Sequence, residues 1–328
     1  MNDIKKYLHT LHSKNQFCGS VLVAHKGNVI CSSAEGYANF EHSINNTSKT
    51  VFNIGSISKQ FTATAILILC DRGLLNVNNK LLDYMPKLPA AWKQVSIIQL
   101  LTHTSGIVDY VGLVDWNKQG KCFHQPLDII KMLINKPLDS VPGTKFNYCA
   151  TGYVLLGMLI ELVSKLDYVT FLKKNIFDVL SMNNTGVYQN DLVIPNRAYG
   201  YEQIGDIVVA ENYFDMSLAF ASGNLYSNVE DLYLWNKALL AGELLAEKSL
   251  NIIKTPTALN SEYGCALELT EFKGGKVIGH NGQIGSFSSI IKHHINEDLN
   301  IIVLSNVEAE TNRNMQVIAF ELAELVLL

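Results

Sequence analysis

The chain reads FNIGSISKQFT from Phe52 to Thr62, a tight turn that leads directly into an apolar helix. Ser56 and Lys59 are three positions apart, and residues with this spacing share one face of a helix. The lysine amine can therefore reach the serine hydroxyl. The free N–H groups of the first helical turn also favour negative charge at this point, which suits a serine that attacks a carbonyl without a histidine partner.

The same Ser-x-x-Lys pattern recurs from Ser289 to Lys292, in a run that alternates as a strand does. Strand residues three apart point to opposite faces, so we interpret this second match as a coincidence. The four-residue pattern also fits a serine that merely caps a helix. The assignment of Ser56 as a nucleophile therefore needs support from other parts of the chain.

The composition argues against nucleic acid as a partner and against a membrane-spanning segment. The chain has 328 residues, with 26 Lys and Arg against 30 Asp and Glu and a net charge of −4. No basic stripe is present, which argues against nucleic acid as a partner. Apolar residues make up 48% of the chain, but they are dispersed and no run is long enough for a membrane span. The composition leaves the oligomeric state open.

The first residues and the cysteines bear on location and on cofactors. The opening MNDIKKYL lacks the basic and then apolar layout of a secretory signal. This predicts a cytoplasmic location, or a periplasmic or secreted one if a signal has been removed. The six cysteines show no Cys-x-x-Cys spacing, which indicates small buried side chains with reduced thiols. No histidine and cysteine cluster has metal-ligand spacing, so no metal or other cofactor is expected.

The first two thirds of the chain change from strands to helices. Two strand-like runs, 19–24 and 29–32, flank a predicted hairpin turn. A helix-rich middle follows, with helices predicted over 58–72 and 151–166. A capping box over 227–230, SNVE, predicts the start of another helix.

The last part of the chain returns to strands. The pattern predicts strands over 263–271, 277–280, 287–293 and 299–304, then an amphipathic helix over about 312–327. Each strand-rich end is too small to form a good sheet alone. We therefore predict a mixed α/β (α+β) fold in which both chain ends form one antiparallel sheet flanked by helices, with a mostly helical lobe inserted.

This organisation predicts two domains. The sheet domain comprises residues 1–50 plus 225–328, and the helix-rich domain comprises residues 51–224. A cleft between two lobes is a common place for a binding pocket. We therefore expect the active site in that cleft.

Two further stretches carry candidate site residues. Tyr148 lies in PGTKFNYCATGY (142–153), just before a helix. A phenol near a lysine cation can shuttle a proton, although most of the 14 tyrosines are expected to be packing residues. The stretch GHNGQIGSF (279–287) ends one strand and begins another, and its glycines let the backbone approach a ligand. Its histidine, His280, can supply charge or a proton, or can simply end a strand.

The order of these pieces resembles that of the serine β-lactamase and penicillin-binding-protein family. The nearest branch is the class C β-lactamase, esterase and D-peptidase group. Three motifs carry the resemblance: Ser56 with Lys59, then Tyr148, then His280-Asn281-Gly282. Four supporting stretches are similar too: LLTHTSGI (100–107), GYVLLG (152–157), IFDVLSM (176–182) and SGNLYS (222–227). The similarity extends over about residues 18–325 and implies a β-lactamase/transpeptidase-like fold.

The resemblance implies a role for each catalytic candidate. Ser56 corresponds to the acylated nucleophile, and Lys59 to the base or proton relay. Tyr148 corresponds to the second proton-transfer residue, while His280 stands where family members carry lysine or histidine. The division of general-base work between Lys59 and Tyr148 stays open.

The resemblance also implies where the substrate carbonyl binds. The backbone N–H groups of Ser56 and Gln283 would form the oxyanion hole, which is typically worth several kcal/mol in acyl transfer. Gly282 and Asn281 lie directly beside Gln283 and complete the substrate-binding strand.

Two departures from the family pattern bear on the substrate. Ala150 stands where the family's tyrosine motif ends in asparagine, a carboxamide that helps bind an amide side chain of the substrate. The third motif carries His280 and Asn281 rather than lysine and threonine, as is usual in the esterase-like branch. Both changes point away from efficient hydrolysis of penicillins or cephalosporins. Cys149 is expected to fill a position where relatives carry serine and not to be a nucleophile.

Three functional hypotheses follow. The leading one is a serine hydrolase that forms an acyl-enzyme on Ser56 and hydrolyses a small ester, amide or D-amino-acid peptide. The second is a true β-lactamase acting on penicillins or cephalosporins. The third is a catalytically retired family member that serves as a binding or self-assembling protein, which the loss of asparagine at Ala150 favours. The joint presence of Ser56, Lys59 and Tyr148 favours the first.

Overall fold

The strands are short except for those of one central sheet. The computed structural model describes residues 2–116, 118–205, 207–309 and 314–327. The strands of this part of the chain are β1 Gly19–His25, β2 Asn28–Glu35, β3 Tyr37–Asn39, β4 Ile44–Asn45, β5 Phe52–Asn53, β6 Gly186–Val187, β7 Tyr201–Ile204, β8 Ile207–Ala210, β9 Leu225–Ser227, β10 Glu268–Phe272, β11 Gly275–Ile284, β12 Phe287–His294, β13 Leu299–Ser305 and β14 Val307–Ala309.

Helices occupy both chain ends and most of the middle. They are α1 Asn2–Ser13, α2 Ser58–Asp71, α3 Leu81–Tyr84, α4 Ile97–Leu101, α5 Pro126–Lys131, α6 Ala150–Ser164, α7 Tyr168–Leu172, α8 Phe220–Gly223, α9 Val229–Ala241, α10 Glu247–Lys254 and α11 Met315–Leu327. Short 3₁₀ turns lie at Gly55–Ile57, Ala90–Trp92, Tyr110–Gly112, Gln119–Lys121 and Met216–Leu218, and a π turn at Lys173–Phe177. No helix in the described residues has the length and apolar character needed to cross a bilayer.

One antiparallel sheet joins the two ends of the chain. Its strand order is β10-β11-β12-β13-β1-β2. The join is the pairing of β1 with β13, in which Val21 lies opposite Val303. The mixed α/β fold with a sheet built from both chain ends is thereby confirmed.

The sheet has two apolar faces because successive side chains on a strand point to opposite sides. One face is covered by α1 and α11, and the buried residues of this core include Ile4, Leu8, Leu11, Val21, Val23, Val303, Ile318 and Leu322. The opposite face packs against α9 and joins the large core that includes α2 and α6. The sheet is therefore a middle layer between terminal and central helices.

Helix α2 is the centre of the helical part. It contacts α6, α7, α8 and α10, so its residues from Ser58 to Leu69 are all buried. The large core cluster contains residues of both the sheet and these helices. The division into a domain of 1–50 plus 225–328 and a domain of 51–224 stays a prediction.

Some element boundaries differ from the predicted ones. The hairpin turn is confirmed, with Lys26 and Gly27 both in the left-handed region. The strand predicted over 263–271 begins only at Glu268, because Tyr263 turns inward to hydrogen-bond with two histidines. The strand predicted over 277–280 extends over the whole of β11.

Two helix starts also differ. The cap of α9 is the Asn228 side chain, which accepts the N–H of Asp231, so the predicted box at 227–230 was one residue early. Helix α11 begins at Met315 among the described residues, and residues 310–313, where its start was predicted, lie outside them. Helix α1 has no counterpart among the predicted elements.

Candidate active site

The nucleophile candidate lies on a single 3₁₀ turn that leads into α2. Gly55 has φ +50°, and a Cβ atom at this position would lie 2.7 Å from the Gln283 backbone nitrogen. Glycine is therefore needed for the turn to lie this close to strand β11. The next residue, Ser56, is half-buried and reaches the cavity beside it.

Lys59 lies against Ser56 as the three-residue spacing predicts. Its Nζ donates to Ser56 Oγ at 3.0 Å and to the carbonyl oxygen of Ser222 at 2.7 Å. The side chain is buried, so solvent does not compete for these contacts. The structure thus places an amine within proton-transfer distance of the serine hydroxyl.

Strand β11 is held directly against the serine turn. A Cβ atom at Gly282 would lie only 2.1 Å from the carbonyl oxygen of Ile54, so this contact too requires glycine. Ser289, on the paired strand β12, donates its hydroxyl to the same Ile54 oxygen at 2.9 Å. Gln283, which follows Gly282, therefore lies beside Ser56, as the predicted oxyanion hole requires.

The second Ser-x-x-Lys match has a structural role. Ser289 anchors the serine turn through Ile54, as described above. Lys292 is buried and pairs with Glu268 at 2.7 Å, so its amine is not directed at Ser289. The interpretation of this match as a coincidence is confirmed.

Tyr148 presents its ring to Lys59. Lys59 Nζ lies 4.9 Å from the centroid of the Tyr148 ring. The Tyr148 ring also packs against the His103 ring, with 4.2 Å between the two centroids. The side chain is 39% exposed, and its hydroxyl makes no hydrogen bond with the described residues. The phenol therefore lies next to the Ser56–Lys59 pair without a direct hydrogen bond to either.

A buried chain of hydrogen bonds runs beneath Tyr148. The backbone N–H of Cys149 donates to His103 Nδ1 at 3.0 Å, and His103 Nε2 lies 3.2 Å from the Tyr263 hydroxyl. That hydroxyl lies 2.8 Å from His280 Nε2. Since His103 Nδ1 accepts, a neutral His103 carries its proton on Nε2 and donates to Tyr263, which in turn donates to His280.

His280 is neutral in this arrangement. Burial lowers its pKa to about 4, against the opposing effect of Glu268. Its Nδ1 then carries the proton and donates to the carbonyl oxygen of Asn281 at 2.5 Å. The sequence interpretation of His280 as a source of positive charge is not supported at neutral pH. Its ring is uncharged and is hydrogen-bonded through both nitrogens.

Three residues of the site were missed by sequence reasoning. Asp109 lines the cavity near Lys59 and accepts the backbone N–H of Ala150 at 3.2 Å. Burial raises the pKa of its carboxyl group. His103 and Tyr263 form the buried chain beneath Tyr148. His103 stands inside the stretch LLTHTSGI, but no spacing rule links any of the three to Ser56.

Cys149 is not a nucleophile candidate in the structure. It is buried, and its Sγ lies 3.3 Å from the carbonyl oxygen of Ile107. Burial raises the pKa of this thiol to about 12, so it is not ionised at neutral pH. Its burial agrees with the expectation that it is not a nucleophile, which stays a prediction.

Two cavities meet at the serine. The larger, of about 700 Å³, is lined by Ser56, Lys59, Asp109, Tyr148 and Gln283, among others. The smaller, of about 450 Å³, is lined by the predicted residues Ser56, Tyr148, His280, Asn281, Gly282 and Gln283. All the candidate residues therefore line one or both cavities. Within the described ranges, no group of three His, Cys, Asp or Glu side chains is arranged to hold a metal ion.

Comparison with known sequences gives matches along nearly the whole chain. The sequence model of the family described as Beta-lactamase matches residues 8–323. Penicillin-binding protein 4* of Bacillus subtilis strain 168 is 30% identical over 329 residues, which cover 94% of this chain and 72% of that protein. Protein flp of Staphylococcus aureus strain MRSA252 is 27% identical over 306 residues, covering 89% of this chain. The chain spans 60% of the length of flp.

Comparison with solved structures shows the same fold. A penicillin-binding protein from Bacillus halodurans superposes with a TM-score of 0.86, at 24% identity and with 98% of this chain and 99% of that chain covered. The D-amino acid amidase of Ochrobactrum anthropi SV3, complexed with D-phenylalanine, gives a TM-score of 0.87 at 23% identity, with 99% and 98% covered.

Proposed function

Because the chain belongs to the Beta-lactamase family of serine hydrolases, we propose that it hydrolyses a small ester, amide or D-amino-acid peptide through an acyl-enzyme on Ser56. The observation that carries the proposal is the 3.0 Å hydrogen bond between Lys59 Nζ and Ser56 Oγ. This pair lies where the two cavities meet, so a bound carbonyl group can approach the serine from solvent.

Acylation begins with attack of Ser56 Oγ on the substrate carbonyl carbon. The new Oγ–C bond forms as the hydroxyl proton passes to Lys59 Nζ. The carbonyl oxygen becomes an oxyanion, for which the N–H groups of Ser56 and Gln283 are the proposed donors. Collapse breaks the bond to the leaving alcohol or amine, which takes up a proton from Lys59.

Deacylation repeats these steps with water as the nucleophile. Water adds to the acyl carbon and gives its proton to Lys59. The tetrahedral intermediate then collapses with cleavage of the C–Oγ bond and release of the acid, and Lys59 returns its proton to Ser56 Oγ. Holding the acyl group, amine and oxyanion donors in one geometry supplies much of the acceleration in such reactions.

The geometry favours Lys59 over Tyr148 as the group that takes the serine proton. Lys59 is already hydrogen-bonded to Ser56 Oγ, whereas Tyr148 presents its ring face to the amine. Hydrogen bonds of an unliganded site often tighten only when substrate binds. We therefore assign Tyr148 to the leaving group, to which it relays the proton held by Lys59, and its position in the walls of both cavities suits this role.

The charges around the serine disfavour penicillins, which carry a carboxylate, and favour esters and amides that have no negative charge near the reacting carbonyl. His280 is uncharged at neutral pH because burial lowers its pKa. The charged side chains among the described residues of the smaller cavity are Glu268 and Glu308. Ala150 also lacks the carboxamide that the family uses on an amide side chain.

The test is the time course of p-nitrophenol release from p-nitrophenyl acetate, with penicillin G hydrolysis measured in parallel. We expect a burst followed by slower turnover with the ester, little penicillin hydrolysis, and loss of the burst in Ser56→Ala. The matched control is Ser13→Ala, since this exposed serine lies in α1. Equal ester hydrolysis by wild type and Ser56→Ala would contradict the proposal, and rapid penicillin turnover would move it to the β-lactamase alternative.

A further inference from the structure

Three glutamates in the wall of the larger cavity have no role in the steps above. Glu202, Glu211 and Glu308, here called the glutamate cluster, line this cavity together with Gln283. The side-chain amide of Gln283 donates to Glu308 at 3.4 Å. The cluster is thereby connected to the residue whose backbone is the proposed oxyanion donor.

The carboxyl group of Glu211 is positioned by a hydrogen bond from the backbone and lies close against two glycines. Its Oε2 accepts the backbone N–H of Ser286 at 2.8 Å. A Cβ atom at Gly200 would lie 2.2 Å from its carboxyl carbon, and one at Gly285 would lie 2.4 Å from Oε2. The carboxylate therefore fills a space that only glycines leave open on both sides.

The cluster brings like charges together. Glu202 of β7 lies directly opposite Glu308 of the parallel strand β14, and like charges opposite each other destabilise a sheet. The pKa of Glu211 is raised by burial and, further, by Glu202 and Glu308. None of the three forms an ion pair within the described ranges. Among the described residues, this repulsion is not offset by a cation, and local conflicts of this kind are expected at functional sites.

A buried hydroxyl beside the cluster supplies a second, independent observation. Ser286 is only 2% exposed, and it lines the same cavity. Its hydroxyl lies beside the Glu211 carboxyl group, where it favours the ionised form of that group, and its Oγ makes no hydrogen bond of normal geometry with the described residues. Buried polar atoms are normally satisfied, so this oxygen is available to accept an N–H group from a ligand.

The remaining lining suits an organic ammonium ion. Four carboxyl side chains line the cavity against two amino groups, those of Lys59 and Lys121. Lys59 is engaged with Ser56 and Ser222, and Lys121 is exposed. The aromatic rings of Trp116, Tyr213 and Phe214 complete the wall.

We propose that the glutamate cluster and the Ser286 hydroxyl bind the ammonium group of the substrate, so that the preferred acyl group carries a free amine. Glu211 forms the central ion pair, and Glu202 and Glu308 add charge. This inference rests on the proposed function for its place in catalysis, but the binding of the amine does not depend on acylation. It specifies amino-acid esters, amides or short peptides with a free amino group as the substrate class.

The test measures binding to the Ser56→Ala protein, in which no acylation interferes. The probes are D- and L-phenylalaninamide and their N-acetyl derivatives, in which the ammonium charge is replaced by an uncharged acetamide, and Kd is measured by calorimetry. We expect at least one free amine to bind about tenfold more tightly than its acetylated form, or more. Equal or tighter binding of the acetylated forms, or no binding of either amine, would overturn the inference.

In the Ser56→Ala protein, we expect the further substitution Glu211→Gln to reduce the preference for the free amine over its acetylated form to about twofold or less. The matched control Glu271→Gln keeps it, since Glu271 is exposed on β10 away from the cavity. Because removal of one of three like charges should not lower the thermal unfolding midpoint, that midpoint shows whether the variant folds. If Glu211→Gln is unfolded, Glu308→Gln takes its place. A folded variant with an unchanged preference would overturn the inference.

The two proposals fail separately. Loss of the ester burst with retained preference for the free amine would contradict the acyl-enzyme on Ser56 and leave the ammonium site standing. A normal burst with no preference for the free amine would contradict the ammonium site alone.

Discussion

Lys59 connects the nucleophile to the rest of the site through two hydrogen bonds and through contacts with the rings of Tyr148 and Tyr153. Replacement of Lys59 by alanine removes the group that takes the serine proton, and general-base groups typically contribute 10²- to 10⁴-fold. We expect the rate of adduct formation with p-nitrophenyl acetate to fall by about this factor, as measured by stopped-flow absorbance. The exposed control Lys26→Ala keeps the wild-type rate. Acylation of a folded Lys59→Ala protein at the normal rate would contradict the assigned role.

Tyr263 lines neither cavity, but it is buried behind Tyr148 and is hydrogen-bonded to the histidines of the site. Its hydroxyl joins His103 to His280, so Tyr263→Phe leaves a donor and an acceptor unpaired in a buried place. A buried polar group that loses its partner costs about 1–3 kcal/mol. We expect the free energy of unfolding in urea to fall by this amount, together with a loss of ester turnover because Tyr148 packs on the same rings.

A matched control for Tyr263 is available in Tyr233. Its hydroxyl donates to the carbonyl oxygen of Gly27 at an exposed position, so Tyr233→Phe should change stability by less than about 0.5 kcal/mol. If Tyr263→Phe behaves like Tyr233→Phe in both measurements, the hydrogen-bonded chain has no supporting role.

The approach of strand β11 to the serine turn fixes the geometry of the site. This contact requires Gly282, because a Cβ atom there would lie 2.1 Å from Ile54 O and 2.4 Å from Ser289 Oγ. Gly282→Ala must therefore push the strand away from the turn, and overpacking of this kind typically costs about 1–3 kcal/mol. We expect a lower thermal unfolding midpoint and a loss of ester turnover of at least tenfold, because Gln283 moves with the strand.

Gly112→Ala is the control for this substitution. No atom lies within 4 Å of its added Cβ, so both the unfolding midpoint and the ester turnover should stay close to wild type. An active Gly282→Ala enzyme with unchanged stability would show that strand β11 does not set the position of the oxyanion donors.

Stability of the whole molecule depends on pH through its buried histidines. Burial lowers the pKa of His294 to about 4, with Glu297 opposing and His293 and Lys292 adding to the effect. The unfolded chain, with a histidine pKa near 6.5, then binds more protons than the folded protein between about pH 4 and 6.5. Stability consequently falls as pH decreases through this range. His280 and His103 act in the same direction.

His294→Phe removes one of these protonation sites while keeping an aromatic ring against Phe272. We expect the thermal unfolding midpoint of this variant to depend less steeply on pH between 6.5 and 4 than that of wild type. The exposed residue His42 provides the control, and His42→Phe should retain the wild-type slope. A slope for His294→Phe as steep as wild type would mean that His294 is not held neutral by the fold.

The central sheet and the main helices of the fold followed from features that are local in the chain. Hairpin turns, apolar periodicity and two strand-rich ends sufficed to predict the antiparallel sheet. The Ser56–Lys59 contact was predictable for the same reason, since it depends only on helical spacing. The confirmed hairpin at Lys26 and Gly27 belongs to this class.

The missed parts depend on distant pairings. Asp109 reaches Ala150 and Tyr263 reaches His103 only after the chain has folded, and no periodicity encodes those contacts. The charge of His280 is decided by its burial, which the strand pattern of 277–280 does not reveal. Sequence reasoning therefore identified His280 but could not fix its protonation.

The central claim is that Ser56 becomes acylated, and peptide mass mapping tests it most directly. The protein is mixed briefly with p-nitrophenyl acetate, quenched in acid and digested, and the acetyl group is located by tandem mass spectrometry. The account predicts a mass increase of one acetyl group on Ser56, absent from Ser56→Ala and strongly reduced in Lys59→Ala. An acetyl group found only on other residues, or an unmodified Ser56 during ester turnover, would contradict it.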